Sequence, residues 1–302
     1  MAVDNYAYPD IQKSTGFIYS TLAPVANRNL TDQLVDDNDA VQTKILAPLF
    51  ICILGSFRLV KNGKTINIRG GKVETLLTTL ALQPEYCVHR ERLLHALWPD
   101  ADISLASQSL HTLIHGIKRQ VSDALGGATP IIHSEGSYSL NKEAGVHTDF
   151  GAFQALVDSG TKQQGLGDLA SAARHYMQAI DLYRSEPCPA ADIQSIVQRE
   201  QVKGQYLSAL AELSKYHFSV GNYDTCLKMS FRLLEGDPCR EDAHRLAMLC
   251  YLNKGQRSQA LRHYYVCVQI LQSEFNTAPE LSTTQLFDQI RVNPGRIANS
   301  AS

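Results

Sequence analysis

Hydrophobic positions change their spacing several times along this chain of 302 residues, and each change predicts a different structural element. Apolar, β-prone runs at residues 49–54 and 57–60 and an alternating run at residues 65–68 predict a small N-terminal sheet. Asn62-Gly63 separates the last two runs. Because both residue types tolerate a positive φ, we expect a tight two-residue hairpin turn there.

Helical spacing of apolar residues then predicts three helices, at residues 72–82, 89–98 and 104–125. A proline follows each of the first two helices, and a pair of glycines follows the third. Two short β-prone runs come next, at residues 131–133 and 138–140. A sheet, three helices and a terminal hairpin follow one another in the order of a winged-helix domain.

From Phe150 onward the helical spacing continues, interrupted mainly by Gly, Asp and Pro. Gly221 and Gly255 each open a comparable helix and lie 34 residues apart, which is the period of TPR repeats. An earlier copy is predicted to begin at Gly167, 54 residues before Gly221, and therefore to carry an insertion. Such helix pairs become stable by stacking on their neighbours.

The predicted fold class is an α+β winged helix-turn-helix domain at residues 48–149, followed by an all-α, TPR-like helical repeat domain at residues 150–293. A length of 302 residues suits two domains, each with its own core. Residues 1–47 mix acidic and polar positions without a sustained period and are expected to form a flexible arm. Residues 294–302 are expected to be a tail.

Composition places the chain among globular proteins, since 44% of its residues are hydrophobic, 19% are charged and its formal net charge is -2. Residues 45–150 hold ten Lys or Arg and nine Asp or Glu, a net charge of +1. The predicted winged-helix domain therefore lacks a strong positive field for attracting nucleic acid.

Several classes of function are disfavoured by the motifs. The seven cysteines are scattered without a CxxC pair, which argues against a disulfide framework and a zinc ribbon and favours a reducing cytoplasm. His111 and His115 have a spacing that can chelate zinc, but no HExxH motif and no obvious third ligand accompany them, so no metal is expected. Catalytic and dinucleotide-binding motifs do not stand out, so neither enzymatic activity nor a cofactor is expected. Without a signal peptide or an apolar run of about 20 residues, a cytoplasmic location without membrane insertion is expected.

Short segments spread over the chain resemble one known family. They are LGSF at residues 54–57, RERL at 90–93, LWPD at 97–100, GSYSL at 136–140 and PEL at 279–281, ahead of Leu286, Phe287 and Ile290. In this order they resemble the antibiotic-regulatory-protein (SARP-type) transcription activators, which join an OmpR-like winged helix to a bacterial transcriptional activator domain. The resemblance covers about residues 48–293.

This resemblance implies a bacterial DNA-binding regulator of transcription, an activator, whose third helix enters the major groove of promoter DNA. The helical domain would mediate self-association, giving a homodimer, or contact RNA polymerase, and the bound protein would lie on the nucleoid. The implied DNA-binding residues are Lys72, His89, Arg90, Arg92, Ser107, Gln108, His111, Thr112, His115, Lys118, Arg119, Ser137 and Tyr138. Gln108 and His111 would read bases, whereas Lys118 and Arg119 would hold phosphates.

Three points stay open at this stage. Arg90 and Arg92 are equally suited to a solvated helix face, and Tyr138 either packs beneath the wing or lies against DNA sugar. Gly116 stands where family members commonly carry an arginine, and a glycine inside a helix costs about 1 kcal/mol relative to alanine. Together with the near-neutral charge, Gly116 keeps a second hypothesis open, a protein-interaction adaptor whose winged helix has little DNA affinity.

Overall fold

The computed structural model describes residues 47–68, 70–186 and 193–292. Of the arm expected at residues 1–47, only Ala47 is described, and it is 5% exposed and packs with Phe50 and Cys52, so the arm prediction is wrong for that residue. The rest of the arm and the tail expected at residues 294–302 lie outside the described residues. Among the described helices, none combines the length and the hydrophobicity that a bilayer-spanning segment needs.

A four-stranded sheet opens the described chain. Its strands are β1 (Leu49–Cys52), β2 (Arg58–Lys61), β3 (Lys64–Ile66) and β7 (Val146–Thr148), in the order β3-β2-β1-β7. The first three strands pair antiparallel, and the β2–β3 turn has the positive φ angles predicted for Asn62 (47°) and Gly63 (76°). β7 adds to the sheet parallel to β1, a pairing that the sequence analysis did not predict.

Three helices and a second sheet complete the winged helix. They are α1 (Gly71–Ala81), β4 (Cys87–His89), α2 (Arg90–Leu97), α3 (Ile103–Val121), β5 (Ile131–Ser134) and β6 (Ser137–Leu140). The second sheet has the order β4-β6-β5 and is antiparallel throughout. The helices pack on one another through side chains that are at most 1% exposed, among them Leu76, Leu80, Leu93, Leu97, Leu110 and Ile117.

The third helix is shorter than predicted. α3 ends at Val121 rather than Leu125, and a Schellman-type turn follows in which the Gly127 N–H donates to the Ser122 carbonyl at 2.7 Å. Gly126 adopts the positive φ of 61° that this turn requires. Leu125 is nevertheless buried, which explains why its apolar character extends the helical pattern past the helix end.

The remainder of the chain is helical. It contains α4 (Asp149–Gly165), α5 (Leu169–Leu182), α6 (Ile193–Ser219), α7 (Tyr223–Gly236), α8 (Glu241–Asn253), α9 (Arg257–Phe275) and α10 (Leu281–Val292). Each helix packs against the next, and α8 also contacts α6 and α10. Contacts between neighbours and next neighbours build a stacked helical repeat, which confirms the predicted fold class.

The same turn occurs at the three predicted repeat starts. The glycine at each start, Gly167, Gly221 or Gly255, has a φ between 73° and 81°. The next residue donates its N–H to a carbonyl five positions earlier, at 3.0 Å for Asp168, 2.8 Å for Asn222 and 2.8 Å for Gln256. The insertion predicted for the first copy is visible in α6, which has 27 residues where the equivalent helix α8 has 13.

The first residue of α4 connects the helical domain to the winged helix. The buried carboxylate of Asp149 accepts hydrogen bonds from the N–H groups of Ile53 (2.8 Å), Leu54 (3.0 Å) and Phe150 (2.8 Å). The Arg184 N–H, after α5, donates to the Leu54 carbonyl at 3.3 Å. The end of β1 is therefore held by both α4 and the segment that follows α5.

Candidate nucleic-acid interface

One face of α3 carries six of the thirteen residues that sequence analysis proposed for DNA contact. Spacings of three, four, seven and eleven residues place them on one side of an α-helix. All six side chains are exposed: Gln108, His111, Thr112, His115, Lys118 and Arg119. The opposite side is buried through Ala106, Leu110, Ile117 and Val121.

The start of α3 is fixed by Asp102. Its carboxylate accepts hydrogen bonds from the N–H groups of Ser104 (2.8 Å) and Leu105 (3.3 Å) and from the Ser104 hydroxyl. These bonds satisfy donors that the first turn of a helix leaves free, and they hold the pKa of Asp102 below its usual range. The orientation of the first turn is therefore set within the chain.

The end of α3 is held by a lysine from the first sheet. Lys61 Nζ donates to the Gln120 carbonyl at 3.0 Å and lies 2.6 Å from the Asp123 carboxylate. The ammonium group lowers the pKa of Asp123. Its positive charge also interacts favourably with the negative end of the helix dipole. β2 thus positions the C-terminal end of α3.

The prediction that Ser107 lies on the exposed DNA-binding face is wrong. The structure buries it at 8% exposure, because position 107 lies one turn before Leu110 on the core side of α3. Its hydroxyl donates to the Ile103 carbonyl at 2.6 Å and accepts from Arg90 Nη2 at 2.5 Å. Ser107 and the half-buried Arg90 therefore join α2 to α3 rather than projecting from the exposed face.

Two further cations are engaged within the chain. Lys72 donates to the Leu97 carbonyl and lies 5.7 Å from the centre of the Trp98 ring. Arg92 donates to Gln83 Oε1 at 3.0 Å and to Ser195 Oγ at 3.5 Å, so it reaches α6 of the helical domain. Trp98 itself is half-buried.

The wing is the hairpin of β5 and β6. Tyr138 is only 2% exposed and stacks on His133, with the ring centres 4.4 Å apart, so it packs beneath the wing. Burial raises the pKa of its phenol. Ser137 is half-buried, whereas His89 is exposed beside the wing turn, where a Cβ on Gly136 would lie 3.5 Å from His89 Nε2.

Sequence reasoning missed three exposed residues at this surface. His133 and Glu135 lie on the wing, and Leu105 on the first turn of α3 is 62% exposed. Glu135 precedes a glycine in a turn, a pattern that places a side chain at a hairpin tip. Leu105 could have been recognised because it is apolar at a position out of phase with the buried residues of α3.

Gly116 lies at the edge of the exposed face. A Cβ added there would meet no atom of the described residues within 4 Å, so a side chain at this position would project into open space. The structure thus accommodates a larger residue at position 116.

Within the described residues, no group of three or more His, Cys, Asp or Glu side chains is arranged to hold a metal ion.

Known proteins match both parts of the chain. Residues 148–291 match the family model described as bacterial transcriptional activator domain. The transcriptional regulatory protein MoaR1 of Mycobacterium bovis is 24% identical over 243 residues, which cover 79% of this chain and 78% of that protein. The regulatory protein DnrI of Streptomyces peucetius is 24% identical over 254 residues, covering 81% of this chain and 93% of that protein.

A solved structure shares the fold. Mycobacterium tuberculosis EmbR, solved in complex with a low affinity phosphopeptide, superposes with a TM-score of 0.68 at 18% identity and covers 84% of this chain and 69% of that one. The AfsR regulatory protein of Streptomyces coelicolor also matches, at 23% identity over 79% of this chain, which spans 24% of that longer relative. The chain thus combines a winged helix with an exposed third helix and a bacterial transcriptional activator domain, and over about four fifths of its length it is similar to SARP-type transcriptional regulators.

Proposed function

We propose that this chain activates transcription by placing α3 in the major groove of promoter DNA, with the wing at residues 131–140 on the flanking backbone. The continuous exposed polar face of α3 carries the proposal, since an α-helix fits the major groove and such a face can read base edges. The protein would act in the bacterial cytoplasm, on the nucleoid when bound.

Residues along this face would have different roles. Gln108 and His111, nearer the N-terminal end, would contact base edges, because the N-terminal residues of a recognition helix lie deepest in the groove. Lys118 and Arg119, in the last turn, would contact phosphates. His89 and Ser137 would place the wing against the backbone, while Thr112 and His115 complete the surface that faces the groove.

Contacts within the chain reduce the number of residues that we propose to touch DNA. Arg90 and Ser107 would orient α3, and Tyr138 would support the wing from below. Lys72 and Arg92 would need to leave the Leu97 carbonyl and Gln83 to reach a phosphate. We therefore assign these two cations to packing within the chain rather than to DNA.

The helical domain would provide self-association or a contact with RNA polymerase. Two copies bound to adjacent sites would bind DNA more strongly than one copy, through effective concentration. The match of residues 148–291 to a bacterial transcriptional activator domain supports this division of roles.

The test is fluorescence anisotropy of the purified protein with DNA upstream of its own gene, against scrambled competitor and over a salt series. Replacing Lys118 and Arg119 together by alanine should weaken binding and reduce the slope of log affinity against log salt by about 1.8, since each lost phosphate contact removes about 0.9. The control is Lys162→Ala with Lys228→Ala, which removes two exposed positive charges from the helical domain and should leave the slope unchanged.

The adaptor hypothesis gives the contrasting result. It is favoured by the net charge of +1 over residues 45–150 and by Gly116 on α3. If selection from random DNA recovers no preferred sequence, and the Lys118 and Arg119 double variant binds DNA as the parent does, the proposal is wrong and the adaptor hypothesis replaces it.

A further inference from the structure

The first turns of α3 present an unusual combination of groups to the proposed DNA surface. Leu105 is 62% exposed and lies three residues before Gln108 and seven before Thr112, on the same side of the helix. A large apolar side chain therefore stands at the end of the recognition face that enters a major groove most deeply.

The hydroxyl donors around Leu105 are already used within the chain. Ser104 Oγ donates to the Asp102 carboxylate, Ser109 Oγ to the Leu105 carbonyl at 2.9 Å, and Thr112 Oγ1 to the Gln108 carbonyl at 2.9 Å. These three side chains have their donor hydrogens turned toward the helix backbone or cap. Around Gln108, the first turns of α3 thus offer carbon surface rather than free hydroxyl donors.

The exposure of Leu105 differs in kind from that of its neighbour Ile103. Ile103 is 70% exposed, but it lies seven residues before the buried Leu110 and fourteen before the buried Ile117, so it extends the core stripe of α3. Leu105 is out of phase with that stripe, and its N–H is bound to Asp102 at 3.3 Å. Its backbone is therefore fixed in an orientation that presents the side chain with the polar face.

The major groove contains one apolar feature that matches such a group, the C5-methyl of thymine. We propose that Leu105 is a specificity-determining residue that packs on a thymine methyl in the operator, beside the base pair read by Gln108. This inference rests on the proposed function, because it requires α3 to lie in the major groove.

The experiment begins with an operator recovered by the full-length protein from random DNA. Each thymine of that operator is then replaced by uracil, which removes the methyl and leaves all hydrogen-bonding edges intact. Binding of the parent protein should weaken about fourfold at one position, the factor expected for losing one buried methyl-sized contact. At that position, the Leu105→Ala variant should bind thymine and uracil DNA equally well.

The matched control is Ile103→Ala, which truncates a side chain of similar size and exposure on the same helical turn. It should keep the full preference for thymine. A preference that persists in Leu105→Ala, or disappears equally in Ile103→Ala, overturns the inference, as does an operator in which no uracil weakens binding. Failure to recover any operator overturns the proposed function and this inference with it, whereas failure at the uracil step overturns the role of Leu105 alone.

Discussion

Single side chains on and around α3 divide into those that hold the helix and those left for a partner. Arg90 and Ser107 are joined by a 2.5 Å hydrogen bond, whereas Lys118 and Arg119 are exposed in the last turn. Each set contains a cationic side chain, so charge does not separate them. The difference is the direction in which each side chain leaves its helix, which decides whether it meets another element or solvent.

Gly116 is a residue at which substitutions are expected to raise stability and to add a DNA contact. Gly116→Ala should raise the free energy of unfolding by about 1 kcal/mol, because it removes a helix-interior glycine and the added Cβ meets open space. Chemical denaturation measures this change. Gly116→Arg should also steepen the salt dependence of DNA binding by about 0.9, by adding one phosphate contact.

Gly204 provides the comparison, since it lies inside α6 and its Cβ would also meet no described atom within 4 Å. Gly204→Ala should raise stability by a similar amount, and Gly204→Arg should leave the salt slope unchanged. Equal slopes for the two arginine variants would contradict a DNA contact at position 116.

At the scale of elements, α3 is positioned by contacts at both ends. Asp102 caps its first turn, and Lys61 of β2 binds the Gln120 carbonyl in its last turn. A recognition helix held in this way can present its face in one orientation before DNA binds, which lowers the entropy lost on binding.

Lys61→Met should loosen the end of α3 while leaving its start intact. The variant keeps the apolar stem and removes the ammonium from the negative end of the helix dipole, so hydrogen exchange of the amides at residues 119–123 should become about twofold to fivefold faster. Exchange at residues 105–108 should not change. The exposed Lys64 on β3 offers the control, because Lys64→Met removes the same charge from the adjacent strand; similar acceleration in both variants would show that net charge, rather than the Lys61 contact, is responsible.

Sequence patterns predicted those elements whose residues face a core with a regular period. The helices and the Asn62-Gly63 hairpin were predicted because each is determined by near neighbours along the chain. β4 and β7 have three residues each, too few to show an alternation, and β7 pairs with β1 from 97 residues away, as Leu49 opposite Val146 shows. At the candidate site, the exposed residues of α3 were expected from the family resemblance, whereas the burial of Ser107 and the reach of Arg92 to Ser195 depend on packing between elements.

At the scale of the whole molecule, a buried charge lies where the two domains meet. Asp149 accepts hydrogen bonds from backbone N–H groups of both domains, and burial raises its pKa to about 6 from the ordinary value of 3.8. Asp149→Asn should destabilise the protein by about 1–3 kcal/mol near neutral pH, because the amide offers one acceptor oxygen and turns an N–H₂ group toward other donors. The free energy of unfolding measures this loss.

The raised pKa of Asp149 also predicts how the free energy of unfolding changes with pH. Between about pH 4 and pH 6 the folded state keeps the proton of Asp149 while the unfolded state releases it, so the contribution of this carboxyl group to stability falls as pH rises. The stability advantage of the parent over Asp149→Asn should therefore shrink over this range and become constant above about pH 7. An advantage that grows from pH 4 to pH 6 would show that the N–H donors, which favour the charged form, outweigh burial.

Asp149 also limits which helical domains could replace the one in this chain. The match to the activator domain begins at residue 148, yet the carboxylate one position later closes the end of β1, and the Arg184 N–H meets the same strand end from the far side of α5. A winged helix joined to a foreign helical domain would lose the first attachment unless the incoming helix began with aspartate, and it would lose the second unless a backbone N–H lay where that of Arg184 lies. The joint between the two domains therefore depends on groups contributed by both of them.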